Sequence, residues 1–305
     1  MAKHLESLDD IHEIDKLEFL AKQVVEGFII GLHKSPYHGF SVEFAEHRLY
    51  NKGESVRNID WKVYARTNRL YVKRYEEETN LRCQIVLDAS PSMYFPRDQQ
   101  KNKINFSIVC AAAMFRLMKK QRDAVGLSVF RDKVEVHTKA KSTQVHQSLL
   151  TSYLEQYLNL EEEKGSTSAA DALHQIADSI HQRSLVVIFS DMFDSNADND
   201  ALFSALQHLK YNKHEVILFH VVDKRHELDF EFENRPYEFV DIESGEKLKL
   251  QANEVRSHYK EQIKAFEEAL KLKCAQYRIE FVEADINKGF RQVLLPYLMK
   301  RKKMY

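Results

Sequence analysis

Glycine and proline are scarce in this sequence, at 8 and 5 of 305 residues. So few exclude a collagen repeat, a Gly/Ser linker or a Pro-rich disordered tract. The 3 cysteines, Cys83, Cys110 and Cys274, are too few and too dispersed for a disulfide framework or a Cys-x-x-Cys metal knuckle. They read instead as reduced, mostly buried thiols of a cytosolic protein. Charge of one sign is also lacking: 45 Lys+Arg against 46 Asp+Glu leave a net charge of -1. That balance argues against a strongly basic nucleic-acid binder and against an acidic tail. No apolar run approaches the roughly 20 residues of a membrane span; GFIIGL from Gly27 and LVVIF from Leu185 fall far short of it. The opening MAKHLESLDDIHEIDK is too charged for a signal peptide. A cytoplasmic protein is therefore expected.

Several catalytic motifs are missing as well. There is no His-Glu-x-x-His for a zinc hydrolase, no dinucleotide fingerprint, and no Gly-x-Ser-x-Gly around Ser90. Ser244-Gly245-Glu246-Lys247 lacks the glycine spacing of a phosphate loop and reads as a turn.

What is present is a globular composition, 44% hydrophobic and 30% charged. Ile11, Ile14, Leu17, Leu20, Val24 and Phe28 fall on one face of a helix over residues 9–34, with Asp10 and Glu13 as a capping box. Residues 37–80 are dense in aromatic and charged side chains and read as an extended segment with short strands or turns, Tyr71 to Tyr75 alternating as a strand. From residue 81 short apolar runs alternate with helical periods. Strands are expected at 83–87, 125–130, 133–137, 185–189, 216–222 and 278–283, with a hairpin over 237–250. Helices are expected near 103–121, 143–158, 168–182, 198–211, 253–275 and 287–301. The fold class is α/β: a doubly wound, mostly parallel sheet with helices on both faces. The division expected is an N-terminal helical and extended appendage at 1–80 and the α/β domain at 81–305.

In such sheets ligands bind beyond the carboxyl ends of the strands. The first core strand ends in Asp88-Ala89-Ser90-Pro91-Ser92, where three oxygen-bearing side chains alternate. That set suits a small hard cation such as magnesium, and equally suits a turn in which Asp88 caps the following helix. Thr167 follows Gly165-Ser166 at a helix start, and Asp191 closes the apolar run at 185–189.

Asp88-x-Ser90-x-Ser92, then Thr167, then Asp191, resembles the metal-ion-dependent adhesion site of von Willebrand factor A-type domains. Upstream, Glu43-Phe44-Ala45-Glu46-His47-Arg48-x-Tyr50-x-x-Gly53, then Arg57-x-Ile59-Asp60-Trp61-Lys62 and Ala65-Arg66-Thr67, is similar to the signature of the bacterial family called domain of unknown function fifty-eight. One departure is Gly53-Glu54-Ser55, where the family often has two acids. The resemblance implies a von Willebrand factor A-like fold and a magnesium or manganese site. Ser90 and Ser92 would ligate directly, Thr167 directly or through water, and Asp88 and Asp191 would hold coordinated waters. An acidic side chain of a protein partner would complete the shell. It also implies a non-enzymatic adaptor working with a MoxR-type AAA+ ATPase in protein maturation or remodelling. Family members often carry N-terminal membrane helices; this chain resembles the soluble branch.

Two other readings compete. The same oxygen cluster could hydrolyse phosphoesters, although no histidine is evident to act as a general base. Residues 57–75 interleave Arg57, Lys62, Arg66, Arg69, Lys73 and Arg74 with Trp61, Tyr64, Tyr71 and Tyr75. Such a pattern can bind single-stranded nucleic acid, but neighbouring acids such as Asp60 can pair the same bases internally. Arg48, Arg57, Asp60, Trp61 and Arg66 form either a scaffold or a docking surface.

Overall fold

The seven-residue runs Arg82–Asp88 and Ala124–Phe130 carry apolar centres and are buried at every position after the first, the pattern of strands covered on both faces. In a computed structural model of the chain they lie at the middle of a six-stranded sheet. The structure describes residues 17–33, 47–49, 61–73, 81–97, 101–158, 169–193, 199–240 and 247–303. The chain divides into two compact units, residues 1–31 with 81–305, and residues 32–80.

In the larger unit the elements run α1 (Leu17–His33), β3 (Arg82–Asp88), α3 (Lys103–Lys120), β4 (Ala124–Phe130), β5 (Val134–His137), α4 (Gln144–Leu158), α5 (Ala169–Ser179), β6 (Leu185–Ser190), α6 (Asn199–Tyr211), β7 (Glu215–Val222), β8 (Pro236–Val240), β9 (Lys247–Gln251), α7 (Ala252–Gln276), β10 (Glu280–Asp285) and α8 (Arg291–Lys303). The sheet order is β10-β7-β6-β3-β4-β5. All neighbours are parallel except β5, which returns antiparallel to β4. β8 and β9 form a separate antiparallel hairpin in register Pro236 to Gln251. Its turn lies outside the described residues.

Strand residues alternate between the two faces, and the core splits accordingly. Ile85, Leu87, Val187, Phe189, Ile217 and Phe219 face one way, under α1, α3, α4 and α8. Val86, Val186, Ile188, Val216 and Leu218 face the other, under α5, α6 and α7. Phe189 and Phe219 stack with centroids 5.0 Å apart across paired strands. Leu17, Leu20, Ala21, Val24 and Val25 of α1 are buried in the first cluster, so the sequence's first amphipathic face is a layer of the core. The Asp10–Glu13 capping box lies outside the described residues.

The smaller unit contains β1 (His47–Leu49) paired antiparallel with β2 (Tyr71–Lys73), and α2 (Trp61–Thr67). The helix corrects the expectation of strands and turns there. It has no buried residue and therefore no apolar period to read. Its last turn is closed locally: Thr67 Oγ1 donates to Val63 O at 2.9 Å and the Asn68 amide donates to Tyr64 O at 2.8 Å. Asn68 takes the left-handed conformation, φ 55°, that short amide side chains tolerate. Elsewhere β10 begins at Glu280, two residues beyond the expected start, after a left-handed Arg278 at φ 57°. One π-helical turn, Lys224–Leu228, follows β7 and was not foreseen.

Candidate functional site

β3 leads by α3 to β4 on one side, while β6 lies against β3 on the other. The switch point of the sheet is therefore between β3 and β6, and in sheets of this kind the ligand crevice lies beyond the carboxyl ends of those strands. Asp88 is the last residue of β3 and Ser190 the last of β6. Asp88 is fully buried; Oδ1 accepts from the Ser90 amide at 2.9 Å and Oδ2 accepts from Ser190 Oγ at 2.5 Å. Ser190 Oγ in turn accepts from the Met192 amide at 2.8 Å. Pro91 starts a 3₁₀ turn, Pro91–Tyr94, and the Met93 amide donates to Ser90 O at 3.0 Å. That turn swings Ser92 back, so the Ser90 and Ser92 hydroxyl oxygens lie 3.1 Å apart.

Helix α3 opens with Lys103, capped by Asn102, whose side chain accepts from the Asn105 amide at 2.9 Å. A cation in the first turn opposes the helix dipole, and this one has no exposure at all. Two carboxylates explain it. Lys103 Nζ donates to Asp191 Oδ2 at 2.7 Å and to Glu227 Oε1 at 2.5 Å. The ammonium also faces the Phe95 and Phe193 rings at 5.9 and 5.8 Å. Glu227 sits on the π-helical turn, and its other oxygen accepts from the Asp223 amide at 2.7 Å. Asp191 Oδ1 accepts from the Phe193 amide at 3.2 Å, and His220 Nε2 contacts Asp191 O at 3.0 Å.

The electrostatics follow from burial. Burial alone would lower the Lys103 ammonium's pKa, but Asp191 and Glu227 outweigh it and raise the pKa above the ordinary lysine value. Burial raises the Glu227 carboxyl, Lys103 pulls it back, and the Asp191 charge adds to the rise. Burial and the charge of Asp191 push Asp88 up to about 7, against hydrogen bonds from Ser190 and Ser90. Burial holds His220 down at about 4. When all are ionised, Asp88, Asp191 and Glu227 outnumber the one ammonium by two charges. The crevice can therefore accommodate a divalent cation's charge.

Among the described residues no group of three or more His, Cys, Asp or Glu side chains is placed to hold a metal ion. A cation here depends on hydroxyls. Octahedral magnesium with bonds of about 2.1 Å has neighbouring oxygens about 3 Å apart, and the Ser90–Ser92 separation of 3.1 Å matches that edge. The donor set of Ser90, Ser92 and Asp88 fits such an ion. Thr167 lies outside the described residues. Asp191 stands across the crevice, already holding an ammonium on one oxygen.

The structure adds residues that sequence reading missed. Besides Lys103, Glu227 and Ser190, an aspartate follows or ends each of two further strands. Asp223 follows β7 and Asp285 ends β10, and Asn287 Nδ2 bridges them at 2.8 and 3.1 Å. The strand-end position was the available signal: Val222-Asp223 and Ala284-Asp285 repeat the pattern of Leu87-Asp88. For Lys103 the signal was a lysine at the wrong end of a helix dipole.

Of the signature residues, Trp61 and Arg66 lie exposed on α2, Trp61 at 59%. Trp61 packs edge-to-face on Tyr64 with centroids 6.1 Å apart. Arg48 lies on β1 opposite Val72. Arg57 and Asp60 lie outside the described residues.

A family model described as "Protein of unknown function DUF58" matches residues 46–269, and the chain belongs to that family. The chain is 37% identical over 79 residues to three uncharacterized mycobacterial proteins, Mb1516 of Mycobacterium bovis and MT1527 and Rv1480 of Mycobacterium tuberculosis. The match spans 26% of this chain and only 25% of each relative's length. Among solved structures, the conserved hypothetical protein BatB of Bacteroides thetaiotaomicron aligns over 74% of this chain and 100% of its own, at 15% identity and TM-score 0.47. An aerotolerance-related membrane protein of Bacteroides fragilis aligns over 72% of this chain and 99% of its own, at 16% identity and TM-score 0.43. Among the described residues no helix is long and apolar enough to cross a membrane.

Proposed function

We propose that this chain is a non-enzymatic protein-interaction protein whose larger unit is von Willebrand factor A-like and whose strand-end crevice binds magnesium or manganese. In this reading Ser90 and Ser92 hold the ion, Asp88 orients a coordinated water, and Thr167 and Asp191 complete the protein side. A partner's carboxylate supplies the remaining ligand, and its charge is matched by the metal on docking. The partnership implied by the family resemblance is with a MoxR-type AAA+ ATPase, in a cytoplasmic maturation or remodelling step.

The observation that carries this reading is the Ser90–Ser92 hydroxyl pair at 3.1 Å beside a carboxylate already oriented by Ser190. A simple capping turn does not need the second hydroxyl. The test is capture of partners from source-cell lysate by wild type and Ser92→Ala, each in magnesium or in EDTA. Ser92→Ala is preferred to Asp88→Ala, because removing the Asp88 carboxylate also releases Ser190 and the Ser90 amide. A protein retained only by wild type in magnesium is the expected result, and an AAA+ ATPase among such proteins supports the partnership. Identical capture in all four conditions would sink the metal-bridged reading. Magnesium-dependent phosphoester turnover lost in Ser92→Ala would replace it with a hydrolase.

A further inference from the structure

Lys103 is the least expected residue at the strand-end crevice. It is fully buried in the first turn of α3, and it meets two carboxylates carried by other parts of the chain. One carboxylate would neutralise it. Asp191 does so from 2.7 Å, yet Glu227 also bonds the ammonium, at 2.5 Å. Glu227 is held in place at both ends. It sits on the π-helical turn, which the Asp229 amide closes by donating to Lys224 O at 2.8 Å. The Glu227 amide donates to Asp223 O at 2.8 Å, and its second carboxylate oxygen accepts from the Asp223 amide at 2.7 Å. Single π turns are frequent at functional sites.

Folding alone does not explain such a cluster, because apolar side chains of the same volume are often at least as stabilising as buried ions. Its place explains it. Asp191 also belongs to the shell proposed for the divalent ion, so the ammonium and the ion share one carboxylate. A cation beside a cation site weakens it, and an anion beside it strengthens it. The charges of Lys103 and Glu227 cancel, so each corrects the other. Lys103 keeps Asp191 from giving its full charge to the ion. Glu227 takes a share of the ammonium and leaves more of Asp191 free to serve the ion.

Resting on the metal-bridged reading of this crevice, we infer that Lys103 and Glu227 are positioning residues that set its affinity for the divalent ion: Lys103 competes with the ion for Asp191, and Glu227 offsets that competition. An ion held at moderate affinity still gains from a carboxylate brought by a partner, as a bridging ion must.

The test is manganese titration of the full chain, with free Mn2+ read by electron paramagnetic resonance. It is run at about pH 8, above the value of about 7 to which Asp88 is pushed. Lys103→Met should tighten Mn2+ binding about tenfold or more, and Glu227→Gln should weaken it by about as much. The double variant has the wild-type net charge and should return to within about threefold of wild type. A merely structural role gives a different pattern, in which loosening the cluster weakens binding in all three variants. Circular dichroism shows which variants fold. If Lys103→Met does not, Glu227→Gln and the double variant still decide, since a structural role allows no recovery in the second. Ser92→Ala separates this inference from the reading beneath it. Mn2+ binding unchanged in Ser92→Ala, or absent from every variant, overturns both. Binding lost in Ser92→Ala but equal in wild type and the cluster variants, or weakened in all of them, leaves the metal site standing and overturns the inference.

Discussion

At the amino edge of the six-stranded sheet, buried polar side chains hold the backbone. Asp123 accepts from the Leu81 amide at 3.3 Å, and His214 Nδ1 accepts from the Ser184 amide at 3.2 Å. Lys210 closes the same corner by donating to His214 O at 2.9 Å. Each of these bonds satisfies a main-chain group at the start of a strand, where the ladder has not yet begun. At the carboxyl edge the buried groups chiefly engage one another. Lys103, Asp191 and Glu227 meet side chain to side chain, and Asp88 is held by a hydroxyl and one amide. The first arrangement satisfies the backbone where strands begin and can be built from neutral groups. The second concentrates unbalanced charge where a parallel sheet opens its crevice, and folding alone does not require that. A polar group buried to begin a strand and one buried to meet a ligand thus differ in what they touch.

The sharpest way to break the contrast is to remove the cation at the carboxyl edge. Lys103→Met keeps the apolar stem but leaves Asp191 and Glu227 buried without their ammonium. A loss of about 3–5 kcal/mol in urea unfolding is expected. Neutralising the whole cluster, as Lys103→Met with Asp191→Asn and Glu227→Gln, should recover most of it, since the cost is the uncompensated charge. An undiminished midpoint in the single variant would mean that the triad is solvated in solution and the two edges are alike.

A smaller effect sharpens it. If the metal-bridged reading holds, a divalent cation stabilises the fold by binding at the carboxyl edge. A site with Kd near 1 mM gains about 1.4 kcal/mol in 10 mM magnesium. Thermal unfolding of wild type should shift upward accordingly and return on EDTA. Ser92→Ala should lose that shift while keeping the metal-free midpoint within about 0.5 kcal/mol of wild type. An equal magnesium shift in both proteins would place any bound ion somewhere other than the hydroxyl pair.

How much of this contrast was readable beforehand depends on what each feature leaves in the sequence. The parallel sheet and its helices were legible because Arg82–Asp88, Ala124–Phe130 and Leu185–Ser190 are short runs with apolar centres between helical periods. The Asp88–Ser90–Ser92 loop and Asp191 were legible because strand ends are where such sheets bind. Lys103 was not, because a lysine next to Ile104 reads as the polar side of an amphipathic helix; only the fold brings Glu227, 124 residues away, to its ammonium. Helix α2 was hidden for the opposite reason, since it buries nothing. Local patterns report what faces the core, and of a long-range charge pair they carry at most a hint, here a lysine at a helix start.

The smallest expected effect belongs to the amino edge and is a pH dependence. His214 and His146 are buried, and burial lowers both below the ordinary 6.5, with Lys210 and Lys141 nearby adding to the drop. His214 accepts from an amide, and His146 Nε2 lies 3.0 Å from Val125 O, both compatible with neutral rings. Below about 6.5 the unfolded chain takes up protons at these positions while the folded chain does not. Their contribution to stability is therefore complete above 6.5 and is lost as pH falls through the lower folded values. His214→Gln together with His146→Gln should flatten the slope of unfolding free energy measured from about pH 7.5 to about pH 5. The magnesium shift at pH 7.5 should stay as in wild type. An unchanged slope would move the acid sensitivity to the carboxyl edge, and with it the idea that the amino edge is only scaffolding with its own titration.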